Sequence, residues 1–600
     1  MRINRLPTLN QLARNWFFWL IVITGAAIAI RSIPAWMNSA WGADFGIYYG
    51  LTSRFIDSQQ IYGAYDGWGG SYNYFPVLYI ISALGHWLTG MDLMWVMPKI
   101  APIFGGLAIL VFYFIVYEIT KKRNIALLSS VFLAVIPLHA YQTSHAAPLT
   151  IGHFFMILSL YLYLKYTKDN KYLIFLMIST LLLIMSHHLT TYFFLIILFS
   201  ILVFKSVNTS LNKMSKDIMY FTVSSAMIFS YWIFIATPVF DRFVRDGMAI
   251  QPYQVIILFY VFVYATLLGV YAIQKYKPSW ISFLKKLVTF DSSKIRKRAL
   301  IYFFASVLIL LCIEFVFLFV NFPVSGIRMK PLSIVYSLPI VFFIGFAFMG
   351  LEYLRNIKNR WFFQAWLCAT LGSFVYSLLT NNATIYPDRH VEYFIVPMSF
   401  VVAVGIIYLF KPKDAPRVFL LKKRFSIPYI KVLFGIVVSC IVFSNAVAVY
   451  PVYNSLEWMD ESISEPTVNT IGWIKENIDS NNTVFATDLR LSKLLWAEGF
   501  NSTYEFTNET WWCETWKQCR IDLDYEENHS RVTHILIDDV MRDTSVNVDV
   551  MFSIYMTNES YLKFQRDPFD LVYRNATVND DFEETHWAEV YSINWKSVSD

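Results

Sequence analysis

Tyr74-Phe75-Pro76-Val77-Leu78-Tyr79-Ile80-Ile81-Ser82-Ala83-Leu84-Gly85-His86-Trp87-Leu88-Thr89 decides how this chain is threaded. The stretch is apolar, but Pro76, Gly85 and His86 interrupt it, and it falls short of the ~20 residues that cross a hydrocarbon core. Thirteen longer apolar runs surround it, near 15–31, 97–119, 125–141, 149–166, 171–186, 190–205, 217–237, 254–274, 299–320, 331–350, 361–379, 393–410 and 430–449. Basic loops mark the cytoplasmic side of a membrane protein. With Tyr74–Thr89 lying on the surface as an interfacial helix, Lys121-Lys122-Arg123 and the basic stretches at 165–171, 205–216, 275–298, 355–360 and 411–431 all share one side with Arg2, Arg5 and Arg14. Counting it as a span separates every later basic loop from the N-terminus. Thirteen spans follow, with the N-terminus in the cytoplasm and the C-terminus outside.

Composition agrees with a polytopic membrane protein: 56% of the 600 residues are hydrophobic. Trp16–Ile30 reads as a retained first helix, since no small-residue cleavage site precedes the run. The net charge of +6 hides two opposite parts. From Pro451 onward there are 28 acidic and 11 basic residues; before it there are 15 acidic and 38 basic. The basic part belongs to membrane loops and gives no reason to expect nucleic acid. Two domains are therefore expected: a membrane domain at 1–450, with a long outer loop at 32–96, and a water-soluble domain at 451–600.

The soluble part reads as α/β and extracellular. Glu465–Ile478 and Leu489–Trp496 are helix-like, while Thr483–Thr487, His534–Asp538, Phe569–Tyr573 and Ala588–Ile593 are strand-like. Six Asn-x-Ser/Thr tripeptides crowd this region, at Asn481, Asn501, Asn508, Asn528, Asn558 and Asn575. Such sites are glycosylated only outside the cell. Asn382 falls outside on the same topology, and Asn208 inside. Cys513 and Cys519 are too few for a zinc site without His or Cys neighbours, and on the outer side they are expected to form a disulfide. No Gly-rich phosphate loop and no nucleophile elbow occur here, so a cap or an acceptor-recognition role fits better than a chemical centre.

Chemistry is sought in the outer loops. Right after the first span stands Trp41-Gly42-Ala43-Asp44-Phe45-Gly46-Ile47-Tyr48-Tyr49. Asp44 is either a solvated acid near a helix end or a catalytic carboxylate, with Tyr48 and Tyr49 beside it. The rest of the loop carries Tyr62, Tyr65, Trp68, Tyr72 and Tyr74 among glycines, which suits either a membrane belt or a sugar-binding loop. His145 in the next outer loop, and His187 and His188 in the one after, could bind a ligand, move protons or simply pack. Arg242, Arg245, Arg328, Lys330 and Arg389 are cations on the side where cations are unexpected. An anionic ligand would account for them, because a guanidinium fork matches phosphate oxygens. Arg389, followed by His390, is the strongest candidate; for Arg242, Arg245, Arg328 and Lys330 the favoured reading is pairing with a nearby acid, Asp241, Asp246, Asp388 or Glu392, with Arg328 kept as a candidate substrate contact.

These features resemble the GT-C superfamily of polytopic glycosyltransferases, and most closely its protein O-mannosyltransferase and aminoarabinose-transferase branch in archaeal form. The likeness rests on Asp44 after the first span, on Tyr74-Phe75-Pro76-Val77-Leu78-Tyr79 in the long outer loop, on Arg389-His390-Val391-Glu392-Tyr393-Phe394-Ile395-Val396-Pro397, and on the soluble domain outside. The resemblance implies an inverting transfer of a sugar from a polyprenyl- or dolichyl-phosphate donor. The acceptor would be a protein glycan, a lipid-linked glycan or a surface polymer, and the place the outer face of the plasma membrane. Asp44 would act as general base or orient the acceptor, and Arg389 would hold the departing phosphate. Relatives often carry a second acid after the third span; here that region reads Ser144-His145-Ala146-Ala147-Pro148. His145 or an acid elsewhere would have to compensate. No cofactor is required by the pattern, and a divalent metal (Mg or Mn) is an optional addition that the absent acid argues against. Trp511-Trp512-Cys513-Glu514 is not the motif of oligosaccharyltransferases. The rival class is a transporter or flippase for a lipid-linked glycan, but the chain shows no clear internal repeat and few ionisable residues near span interiors, Glu118 and Glu314 being the main ones.

Overall fold

The computed structural model describes residues 15–245, 251–280, 295–320, 331–354, 357–380, 385, 387–410, 417–420, 425–450, 460–505, 507–524, 531–549 and 552–597, apart from 64 and 66. Arg328, Lys330, Asn382, Asn528 and the side chains of Arg242 and Arg245 lie outside this set. Among the described residues, 11 helices are long and apolar enough to cross a membrane, from Trp16–Met37 to Tyr429–Val447. Two of the thirteen expected runs are shorter. The run near 171–186 forms helix Leu173–Ile184, and the run near 125–141 breaks into Arg123–Val135 and Pro137–Gln142.

Pro137 explains the break, because its ring nitrogen has no hydrogen to give the carbonyl four residues back. Arg31, fully buried on Trp16–Met37, supplies donors there instead. Its guanidinium reaches the carbonyls of Leu133 at 3.3 Å and Ala134 at 2.9 Å. It also donates to Thr143 Oγ1 at 2.7 Å and lies 3.0 Å from His139 Nδ1.

The deciding stretch forms a 3-10 turn, Tyr72–Tyr74, and a helix, Val77–Thr89, closed by Gly90 at φ 69°. Thirteen helical residues rise only about 20 Å, well short of a ~30 Å hydrocarbon core. Leu78, Tyr79, Ser82 and Ala83 bury one face while Leu84, Trp87 and Leu88 leave the other exposed.

Among the described residues, the basic connections after the helices ending at Thr120, Tyr166 and Asn208 make ion pairs and hydrogen bonds with helix-end acids and a tyrosine. Glu118 pairs with Lys121 at 3.0 Å and with Lys168. Lys205 meets Asp217 at 2.6 Å, and Lys122 donates to the Tyr408 hydroxyl at 2.7 Å. Glu118 is thus an acid at a helix end neutralised by lysines, not an isolated charge inside a span.

The C-terminal part forms an α/β domain built on a five-stranded sheet. Its strands run in the order Phe569–Val578, Glu584–Ile593, His534–Asp538, Val484–Ala486, Asn501–Thr503. The last three are mutually parallel and the first two are antiparallel additions. Helix Leu489–Ala497 links two parallel strands. Arg490 ties it to the sheet, donating to Asp488 Oδ2 at 2.8 Å and to both Asp538 oxygens at 2.9 and 3.1 Å. All three charges are fully buried, which is tolerable because each is paired and hydrogen-bonded.

Cys513 and Cys519 are buried side by side, their thiols unlinked in this structure but in contact with each other. Cys513 ends helix Asn508–Trp512 and Cys519 lies on Trp516–Leu523, and the packing of these two short helices brings the thiols together. They turn to the Thr510 and Thr515 carbonyls at 3.7 and 3.1 Å. The outer-loop aromatics divide between the domain seam and the surroundings of Asp44. Tyr65 and Trp68 pack edge-on against Trp496 of the α/β domain, with the Arg54 guanidinium 4.4 Å over the same ring. Asn481, Asn501, Asn508 and Asn558 are exposed, and Asn575 is half-buried on its strand.

Candidate active site

Asp44 stands at the start of helix Phe45–Ser58, but its carboxylate makes no capping bond. It is not a helix-end acid spent on local backbone. The carboxylate accepts hydrogen bonds from the Lys493 ammonium and, at 3.3 Å, from the Tyr72 hydroxyl. Lys493 comes from the α/β domain, 449 residues along the chain. Its side chain is only 4% exposed, whereas that of Asp44 is 37% exposed. The pair therefore opens to solvent on the acid's side.

Small residues make this meeting possible. Gly46 and Gly50 share one face of Phe45–Ser58, and Leu489–Ala497 packs directly on it. A Cβ on Gly46 would collide with the Lys493–Leu494 backbone, and one on Gly50 would meet Trp496 and Ala497 at 2.9 Å. Backbone contact at two small residues one turn apart fixes the lysine's stem over the carboxylate.

A second clamp lies on the N-terminal side of Asp44. Ala40–Trp41 pairs antiparallel with Ser462–Ile463, and Gly42 N–H donates to the Glu461 carbonyl at 3.0 Å. Glu461 turns back into the site. Its carboxylate accepts from Ala43 N–H at 3.0 Å and Tyr141 OH at 3.3 Å, and lies 2.9 Å from His145 Nε2. Gly42, at φ +121°, lets the chain pass His145; a Cβ there would sit 3.2 Å from the ring in a conformation that side chains rarely adopt.

Electrostatics follow from these pairings. Burial pushes the Asp44 carboxyl up, but Lys493, then Arg389 and Tyr72, outweigh it and hold it below the usual carboxylate range. Burial likewise raises Glu461, and His145 reverses this, leaving it low. His145 is pulled down by burial and further up by Glu461, ending above the ordinary imidazole value. Asp44 is ionised at neutral pH, and the His145–Glu461 pair favours its charged form.

Arg389 sits in the turn Asp388–His390 between helices Trp361–Thr380 and Val391–Leu409. Its charge is felt by Asp44, by Tyr72 and by His187. His187 caps helix His188–Asn208 by accepting from Thr190 N–H at 3.3 Å through Nδ1, so this tautomer carries its proton on Nε2. Burial, with His188 and Arg389 nearby, drives the His187 pKa well down and keeps the ring neutral. Tyr48 meets Tyr72 edge-on at 5.3 Å beside Asp44.

The structure thus gathers Asp44, Tyr48, His145, His187 and Arg389 around one end of the bundle. Tyr49 is not part of this set; its hydroxyl is drawn to Glu498 at the domain seam. His390 turns into the bundle, 2.8 Å from Ser373 Oγ and edge-on to Phe193. His188 packs its ring on Phe75 at 5.3 Å. Sequence reading missed Lys493 and Glu461 and placed Tyr72 only among the loop aromatics, without linking it to Asp44. Lys493 had a signal: with Arg490 it places two cations in the otherwise apolar Leu489-Arg490-Leu491-Ser492-Lys493-Leu494-Leu495-Trp496 of an acidic domain.

Among the described residues no cluster of three or more His, Cys, Asp or Glu side chains could hold a metal ion. Asp44 and Glu461, the acids nearest to such a role, are committed to Lys493 and to His145 and Ala43 N–H. The described side chains around Asp44 do not offer a divalent cation a ligand set.

The fold and site define a polytopic helical membrane protein whose α/β domain closes over an acid at the bundle's end. No family model matches the chain, and no curated protein matches it. Among solved structures it is similar to ArnT from Cupriavidus metallidurans in the apo state, at 10% identity and TM-score 0.36, over 95% of this chain and 97% of that one. The same protein bound to undecaprenyl phosphate gives 10% identity and TM-score 0.34, over 95% and 98%. The arabinofuranosyltransferase AftD from Mycobacteria gives 10% identity and TM-score 0.37, over 96% of this chain and 40% of that one. Likeness at this level leaves the chemistry to the site itself.

Proposed function

We propose that this protein is a GT-C-type glycosyltransferase that moves a sugar from a polyprenyl-phosphate carrier to a hydroxyl acceptor at the outer face of the membrane, with inversion. The observation that carries the proposal is the meeting of an ionised, partly exposed Asp44 with the charge of Arg389 at the end of a membrane bundle, under a soluble domain. The sequence resemblance points the same way, through Asp44, Tyr74–Tyr79 and Arg389–Pro397.

The chemistry follows from those two charges. The acceptor O–H hydrogen-bonds to Asp44, its oxygen attacks the anomeric carbon of the donor sugar, and its proton passes to the carboxylate. The bond from that carbon to the phosphate oxygen breaks, and its electron pair leaves with the phosphate. The departing phosphate gains a negative charge, which Arg389 stabilises as it develops. Tyr72, donating to the other Asp44 oxygen, aims the carboxylate. On this reading the N-terminus is cytoplasmic, the α/β domain is outside, and the exposed sequons are available for glycans. A polyprenyl-phosphate sugar carries the leaving group that this arrangement needs, whether the lipid is of the dolichyl or the undecaprenyl kind. Membranes supplied with such a donor should show glycan transfer that Asp44→Asn and Arg389→Ala abolish without loss of expression; full activity in Asp44→Asn refutes the mechanism.

A further inference from the structure

Lys493 is a charge in direct contact with Asp44 to which the mechanism above gives no task. Lys493 belongs to the α/β domain, is nearly buried, and directs its ammonium at Asp44. Among the described residues Asp44 is its sole hydrogen-bond acceptor. An ammonium has three donors, so this cation is under-committed, and a buried cation without an anion is costly. Lys493 therefore requires a negative partner in every state of the protein. Its stem cannot withdraw, because the Lys493 backbone lies against Gly46. The head can re-aim, since lysine is a point charge on a flexible chain.

We propose that Lys493 is shared: it holds the Asp44 carboxylate in the empty protein and transfers to the phosphate of the donor when that arrives, releasing Asp44 to accept the acceptor's proton. This rests on the reading of the donor as a lipid phosphate. Asp44 paired with an ammonium is a poor base, because the proton it would accept competes with a fixed positive charge. The donor's phosphodiester brings one negative charge next to Arg389, and Lys493 then has a second anion within reach of the same side chain. Once Lys493 moves, Asp44 loses its main counter-charge and becomes more basic when substrate is present. The leaving phosphate gains a second cation as its charge doubles. The α/β domain thus contributes a residue to the chemistry, and the acid is kept quiet until the donor is seated.

Binding of undecaprenyl phosphate to the full-length protein in lipid nanodiscs, with undecaprenol as the tail-only control, tests this without turnover. Sharing predicts that Asp44→Asn tightens binding about tenfold and that Lys493→Met weakens it about tenfold, the scale of one charge-assisted hydrogen bond. The decisive comparison is Asp44→Asn in the Lys493→Met background, where the gain should shrink to within about twofold. Simple removal of charge repulsion would give an equal or larger gain there, since no ammonium screens Asp44. Equal or larger gains overturn the sharing while leaving the donor class intact; no phosphate-dependent binding by the wild-type protein overturns both. Lys493→Arg, which keeps a cation, should bind within a few-fold of wild type, and Lys493→Gln, which removes the charge but keeps a polar head, takes the place of Lys493→Met in the comparison if that variant does not fold. An unchanged affinity in Asp44→Asn alone also overturns the proposal.

Discussion

Gly46 lies flat against the backbone of Lys493, so close that even a methyl group on it would overlap the Lys493 carbonyl. That contact sets the distance between membrane bundle and α/β domain at the point where Asp44 and Lys493 meet. Gly46→Val should push Leu489–Ala497 away. Overpacking of this kind costs about 1–3 kcal/mol, so the thermal midpoint should fall and limited proteolysis should release the α/β domain sooner. Gly25, whose Cβ position has nothing within 4 Å, is the control: Gly25→Ala should leave both readouts unchanged.

Transfer activity separates the roles of three side chains. Asp44→Asn removes the base and should lower kcat by about 10²–10⁴. Tyr72→Phe deletes only the 3.3 Å hydrogen bond to the carboxylate and should cost about tenfold or less. Arg389→Lys keeps the charge but loses the fork, so it should retain more activity than Arg389→Ala. Single-turnover rates with saturating donor make the comparison.

The His145–Glu461 pair makes domain docking sensitive to pH. His145 is raised in the folded protein, so its contribution is complete below the unfolded value of about 6.5 and is lost as pH rises through the raised value. Glu461 is depressed, so its contribution is complete above about 4.3 and is lost as pH falls through the lower value. Docking should be strongest between these limits and loosen on the alkaline side. Protection of the Ser462 and Ile463 amides, taken relative to the intrinsic exchange rate at each pH, should fall as pH rises across neutrality; in His145→Asn that fall should flatten.

The sequons report orientation. In a host that glycosylates secreted proteins, Asn481, Asn501, Asn508 and Asn558 should each carry glycan, shown by mass loss on Asn→Gln substitution. Asn575, half-buried on a strand, should be modified less completely. Asn208, cytoplasmic on the proposed topology, should stay bare.

Much of the architecture was legible because it rests on local signals. Apolar runs became helices, the short Tyr74–Thr89 stretch became a 13-residue helix with one exposed face, and helix Glu465–Asn477 and strand His534–Asp538 lie where periodicity put them. The two-residue pairing of Ala40–Trp41 with Ser462–Ile463 had no such signal, since strands that short show no alternation.

The sequence by itself determined a basic membrane part, an acidic α/β part, and an acid just beyond the first span. It could not supply the partners of that acid. Lys493 and Glu461 are 449 and 417 residues away along the chain, and neither lies in a recognisable motif. Only the tertiary structure brought them to Asp44, because helix packing on Gly46 and Gly50 and a brief strand pairing at Ala40–Trp41 dock the second domain against the first. Residue type fixes what a side chain can do, and packing between distant segments decides which charges it meets.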